Sequence, residues 1–379
     1  MGARPTLFLW GFFYRQCEFR ERDAAPVTRK ARIAGVAARR AQICALGAFA
    51  LGIGLLTLLP ASAAAAQSAA ASASRVSTQQ VTDEAGRAVR VPQPVRRIVS
   101  LAPNLTETIF ALGLGDALVG DTDYCDYPAE ALKKAHVGGP INPSFEKIMA
   151  LHPDLVLATS AINRLATVQA LERLGVAVYV TDPRTVEQVL SSTGRLGRLL
   201  GASEQAATIV AALHDRLEQL RQRLSGSGPR SVLFITWVDP LVSVGRNTFL
   251  ADALHLAGAR SVIETPQDWP NISLEEVLHQ QPEYLIFSSN EPEQIQRQLA
   301  ELRGRQGWQG LEALRQNRIV ILSEAFSRPA PRLLDTIEQL ARALHPDRFA
   351  SERPVTLHRV APPPAASLFP VFSPAAGAL

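Results

Sequence analysis

Residues 203–226 read SEQAATIVAALHDRLEQLRQRLSG. Ala206, Ile209, Val210, Leu213, Leu217, Leu220 and Leu224 lay a single apolar stripe along an amphipathic helix. Ser203 is placed to cap its start and Gly226 to stop its end. At about 1.5 Å per residue such a helix spans roughly 33 Å. A Gly/Ser-rich segment would hinge, whereas a helix this long holds what lies at its two ends apart.

On both sides of it, strand-like apolar runs alternate with helical patterns. Upstream stand RRIVSLAP (96–103), ALVGDTD (117–123), DLVLATS (154–160) and AVYVTDP (177–183), after a hairpin pattern in VTDEAGRAVRVP (81–92). Helical patterns follow them at 104–115, 164–175 and 185–201. Downstream, SVLFITW (231–237), EYLIFSS (283–289) and RIVILS (318–323) alternate with helical patterns at 248–258, 292–303 and 332–344. This alternation predicts an α/β fold with largely parallel sheets, in two lobes joined by the single long helix.

One phrase occurs in both halves: NPSFEKIMALHPDLVLAT from Asn142 and NISLEEVLHQQPEYLIFS from Asn271, offset by 129 residues. Ser144 and Ser273 are good N-caps, which puts Glu146 and Glu275 in first helical turns. A carboxylate there is favoured by the helix dipole by about 0.3–1 kcal/mol. Equivalent positions on two lobes would also present two acids to a partner with two basic pockets, where they set orientation and on-rate.

The first 66 residues differ from the rest. A basic run (29–42) precedes the apolar ICALGAFALGIGLLTLL (43–59) and the small-residue PASAAAAQ (60–67), the order of a secretory signal peptide cut near Ala63 or Ala66. The second half of the uncharged stretch is Ala and Ser, which argues against a permanent anchor. This leader holds nine of the 39 bases and three of the 35 acids, leaving 30 bases against 32 acids. No basic face remains for nucleic acid. Of Cys17, Cys44 and Cys125 only the last lies beyond the leader, so no internal disulfide is expected. The expected organisation is leader 1–66, linker 67–80, N-terminal lobe 81–202, helix 203–226, C-terminal lobe 227–350 and a disordered Pro/Ala-rich tail 351–379.

RIVSLAPNLTETIFALG (97–113), VGDTDYCDYP (119–128), VGGPINPSFEKIMALHPDLVLA (137–158) and WPNISLEEVLHQQPEYLIF (269–287) resemble the substrate-binding proteins of iron-siderophore and cobalamin ABC importers. The likeness runs from Val81 to His345. It implies two Rossmann-like lobes on one backbone helix, a monomer in the periplasm, and delivery of a small-molecule ligand to an importer permease. Glu146 and Glu275 match the family's permease-docking acids. The ligand implied is cobalamin or a related corrinoid, with a ferric siderophore or haem as the alternative, and no cofactor.

The cleft between the lobes is the default pocket. Loops after strands offer Tyr124, Trp237, Trp269 and Arg328, aromatic area and a charge suited to a large planar ligand. A Trp can equally be core, and Arg328 can equally form an ion pair within its lobe. The resemblance places a ligand-stacking Trp at Trp269 and a ligand-contacting Tyr at Tyr124. Where cobalamin binders of the family carry further stacking Trp residues, this chain has Pro140 and Thr159. Trp308 is expected to pack or lie exposed on the second lobe.

Other classes are poorly served. No G-x-S-x-G elbow, P-loop or H-E-x-x-H occurs, so no enzyme is expected. No His residues pair as H-x-H, and DTDYCD (121–126) lacks the Gly and distal Glu of a calcium loop. A metal-ion receptor therefore ranks behind the siderophore or haem alternative, and an enzyme behind both.

Overall fold

Parallel pairing dominates both halves of the computed structural model, which describes residues 77–350. The leader, most of the linker and the tail lie outside the described residues. The chain opens with the expected hairpin, β1 (Ser77–Thr82) and β2 (Ala88–Gln93), so strand begins inside the stretch read as linker. Next come β3 (Ile98–Ser100), α1 (Pro103–Ala111), β4 (Leu118–Asp121) and β5 (Ala135–His136). They are followed by α2 (Phe145–Ala150), β6 (Leu155–Thr159), α3 (Leu165–Arg173), β7 (Val178–Thr181) and α4 (Val186–Leu199). These strands make a five-stranded parallel sheet in the order β5-β4-β3-β6-β7.

The long helix, α5 (Ser203–Leu224), leads to β8 (Arg230–Phe234), β9 (Trp237–Val238), β10 (Leu241–Val242), α6 (Phe249–Leu256) and β11 (Ala259–Ser261). Then follow α7 (Leu274–Gln280), β12 (Tyr284–Ser288), α8 (Pro292–Gly304), α9 (Glu312–Arg315), β13 (Ile319–Leu322) and α10 (Leu333–Leu344). The second sheet is four-stranded and parallel, in the order β11-β8-β12-β13. The fold is therefore α/β, with two Rossmann-like lobes joined by a single long helix. Helices on both faces explain why every residue of β6 is buried.

The stripe on α5 is divided between the lobes. Ala206 packs in the first lobe's core with Leu112, Leu196 and Leu199. Leu213, Leu217 and Leu220 pack in the second lobe's core with Phe234, Leu254, Ile337 and Leu340. Ile209 sits half-buried against both. A Cβ at Gly197 of α4 would lie 2.2 Å from the Cβ of Ala206, so α4 and α5 approach closely because that position has no side chain. On the polar face, Arg216 reaches Asp335 (2.7 Å) and Glu338 (2.9 Å) of α10.

The helix start differs from expectation. Ala202, not Ser203, is the N-cap, and no side chain caps it. Gly201 (φ +81°) turns the chain straight out of α4, and Ala202 N–H donates to Gly197 O (2.7 Å), so the turn and not a hydroxyl sets the first residue. At the other end, Gly226 (φ +75°) stands just past the last turn.

Both copies of the repeated phrase fold alike. Ser144 Oγ accepts from Lys147 N (3.3 Å) and Ser273 Oγ from Glu276 N (3.0 Å), the expected caps of α2 and α7. The later acids of the phrase have an internal task. Asp154 accepts from Arg96 N (2.8 Å) and Arg97 N (2.9 Å), and Glu283 accepts from Ser231 N (3.2 Å), each tying off the start of the neighbouring strand. Trp308 is buried in the second lobe. Among the described residues no helix is long and apolar enough to cross a membrane.

If α5 couples the two cores, Leu217→Ala should cost about 2–5 kcal/mol in urea denaturation. Asp215→Ala, on the exposed face of the same helix, should change stability by less than about 0.5 kcal/mol.

Candidate ligand site

Each sheet reverses its strand order at one strand, and crevices form beyond the carboxyl ends of strands at such points. In the first sheet the reversal is at β3, between β4 and β6, and in the second at β8, between β11 and β12. Pro103 and Asn104 follow β3, Ile162 follows β6, Thr236 follows β8, and Ser288 ends β12. All five line one cavity of about 80 Å³ between the lobes, together with Pro140, Leu250 and Trp269.

Trp269 reaches this cavity from a pinned loop. Ser243 N donates to Pro270 O (3.2 Å), Gly245 N to Asp268 O (3.0 Å) and Arg246 N to Thr265 O (2.9 Å). A Cβ at Gly245 would fall 1.8 Å from Gln267 O, so only glycine lets the two segments lie this close. Asp268 is further held by Arg184 of the first lobe, at 2.7 Å.

Arg328 also lines the cavity, and its guanidinium is committed. Nη1 donates to Glu107 (2.9 Å) and Asp126 (2.6 Å), and Nη2 to Glu324 (2.8 Å). Glu107 also accepts from Arg332 (3.0 and 2.8 Å), which stacks 3.8 Å over the ring of Tyr127. Glu107 and Asp126 belong to the first lobe, so Arg328 and Arg332 tie the lobes together beside the cleft. Burial acts to lower the Arg328 pKa, but the surrounding carboxylates hold it above its ordinary value. Burial pushes the Glu324 carboxyl up, against the pull of Arg328.

The remaining candidates lie elsewhere. Trp237, on β9, donates its indole N–H to Asp239 O (2.5 Å). It lines a second cavity of about 570 Å³ in the C-terminal lobe, walled by Phe287, Gln294 and Gln298. Thr236 and Glu324 belong to both walls, so the two spaces adjoin. Tyr124 is half-buried beside Gly139, next to Pro140, and lines neither cavity. Its phenol is pushed up by burial and by Asp123. Pro140 is on the cleft wall, whereas Thr159 is buried in β6.

The acids of DTDYCD are scattered in role: Asp121 is buried against His136 (2.7 Å), and Asp126 binds Arg328. Burial pushes the Asp121 carboxyl up to about 6. Among the described residues no group of three or more His, Cys, Asp or Glu could hold a metal ion. Cys125 is buried, and burial pushes its thiol up to about 11, far from a reactive thiolate. Glu146 and Glu275 are exposed on their first turns, and neither side chain has a partner among the described residues.

Sequence reasoning missed Glu107 and Asp126. A signal was available for the first: Glu107 sits within NLTETIF, on a helix whose residues from Pro103 to Ile109 are all buried. A buried acid requires a partner. Removing one side of a buried pair costs about 3–5 kcal/mol, so Glu107→Ala should lower stability by that amount in urea denaturation. A loss under about 1 kcal/mol would mark the network as energetically idle.

Comparison with known proteins agrees with this architecture. Residues 98–325 match the periplasmic binding protein family. A vitamin B12-binding protein of Photorhabdus laumondii is 30% identical over 250 residues, covering 66% of this chain and 88% of that protein. The crystal structure of the periplasmic vitamin B12-binding protein BtuF of Vibrio cholerae superposes with a TM-score of 0.59 at 26% identity, covering 69% of this chain and 99% of that one. The periplasmic heme-binding protein RhuT of Roseiflexus sp. RS-1 shares the fold, with a TM-score of 0.60 at 24% identity over 67% of this chain and 99% of that one. With two linked parallel sheets, a cleft at their reversal points and a match over most of its described length, the chain belongs to the periplasmic binding protein family.

Proposed function

We propose that this protein captures cobalamin or a related corrinoid between its lobes and delivers it to an ABC importer permease. The observation that carries the delivery step is the pair Glu146 and Glu275. The two copies share an acid at two matching positions; Asp154 and Glu283 are spent inside the fold, while Glu146 and Glu275 face solvent unpaired. Acids so placed on two rigidly linked lobes suit a partner with two basic pockets, where complementary charge governs encounter and register. The corrinoid as ligand is supported by the relative at 30% identity and by Trp269 on an otherwise largely apolar wall. Export with loss of residues 1–66 brings the protein to the periplasm as a monomer. It binds its ligand without turnover and needs no cofactor.

An interlobe space of about 80 Å³ is well below the roughly 300–1,000 Å³ of ligand pockets. A corrinoid therefore enters as the lobes part, and the adjoining cavity beside Trp237 is the direction in which the site extends. Calorimetric titration with cyanocobalamin should saturate near one ligand per chain, unchanged on recovery. Binding of a ferric siderophore or haemin in its place would reassign the ligand and keep the fold. Trp269→Ala should weaken binding by roughly 1–3 kcal/mol, as for a stacked aromatic anchor; an unaltered affinity would put Trp269 outside the site.

The docking step has a separate test. Glu146→Arg with Glu275→Arg should abolish uptake in a reconstituted importer while the ligand affinity stays at the wild-type value. Uptake that survives the double reversal would remove the two acids from the interface.

A further inference from the structure

Asn104 stands in the first turn of α1 and lines the interlobe cavity. It is 3% exposed, and its Oδ1 has no hydrogen-bond partner in the protein. Its neighbours on the wall include Pro103, Pro140, Ile162 and Leu250, whose side chains offer no hydrogen bond. A buried amide left in this state bears its desolvation cost without return unless a ligand completes it.

The charges around it are already balanced. Glu324 and Arg328 are the charged residues of the interlobe wall, and they are bonded to each other at 2.8 Å. The adjoining cavity carries Arg297 and Arg305 together with Asp239, Glu301 and Glu324. Arg305 is paired with Asp239 at 2.8 Å. Neither wall holds a surplus of positive charge for an anionic ligand.

We infer that the interlobe site selects an uncharged ligand with amide or hydroxyl groups on its rim, and that Asn104 reads one of those groups. The inference rests on the corrinoid reading and narrows it. A corrinoid rim bears neutral carboxamides, which pair with Asn104 as both donor and acceptor. Haem presents carboxylates, and neither wall carries net positive charge to meet them.

The test is calorimetric titration of the purified protein with cyanocobalamin and with haemin, in the wild type, Asn104→Leu and Asn104→Ala, with thermal unfolding of each ligand-free protein. Wild type should prefer cyanocobalamin, and both variants should lose about tenfold in affinity for it. The ligand-free Tm of Asn104→Leu should hold or rise, because an unpaired buried amide has been replaced by an apolar group. A merely structural role would lower the Tm along with the affinity, and would overturn the inference. So would two variants that bind as wild type does, in which case the corrinoid reading stands alone. Wild-type protein that binds haemin and ignores cyanocobalamin overturns both.

Discussion

One helical stripe buried in two separate cores is the constraint on which the molecule depends. Ala206 is fixed in the first lobe, and Leu213, Leu217 and Leu220 in the second. Burying a Leu contributes about 1.5–3 kcal/mol, so bending α5 between these points would expose apolar surface at one end or the other. The two sheets are thereby held at a set spacing, their reversal points forming one cleft. The same spacing holds α2 and α7, and with them the two unpaired glutamates.

Against that fixed base the mouth of the cleft is drawn together by charge. Arg328 and Arg332 of the second lobe meet Glu107 and Asp126 of the first, and Arg184 meets Asp268 in the reverse sense. The cleft is consequently narrow. A large ligand must spend part of its binding energy on separating these groups, and it can shift the lobes only by its differential affinity for the wider state. A strut that tilts without breaking suits such a motion, since a small rotation at α5 moves the rim more than the base.

Much of this was legible from sequence, for definite reasons. The 3-and-4 spacing of 203–224 and the apolar runs at β6, β8, β12 and β13 are long enough to show their period or to read as buried. The caps at Ser144 and Ser273 are local chemistry and need no tertiary knowledge. The strands β5, β9, β10 and β11 have two or three residues each, too few for a period, and exist because a neighbour pairs with them. Ser203 failed as a cap because Gly201 had already turned the chain. The network at Arg328 joins residues up to 225 positions apart, which no spacing rule can bring together. Of the four proposed ligand residues, Trp269 and Arg328 meet in one cavity, because each follows a strand of the second sheet whose end faces the cleft. Trp237 was placed by the same rule, but the β9–β10 hairpin carries it into the adjoining space.

The central claim is that α5 fixes the spacing of the two lobes. Pulsed electron paramagnetic resonance between spin labels at Lys147→Cys and Glu276→Cys, beside the two docking acids, measures that spacing directly. In protein lacking residues 1–66, and with them Cys17 and Cys44, the remaining native Cys125 is buried with its thiol protonated, so labelling falls on the introduced sites. The account predicts one narrow distance distribution that shifts by no more than a few ångström when cyanocobalamin is added. A broad or two-peaked distribution in the ligand-free protein would contradict it.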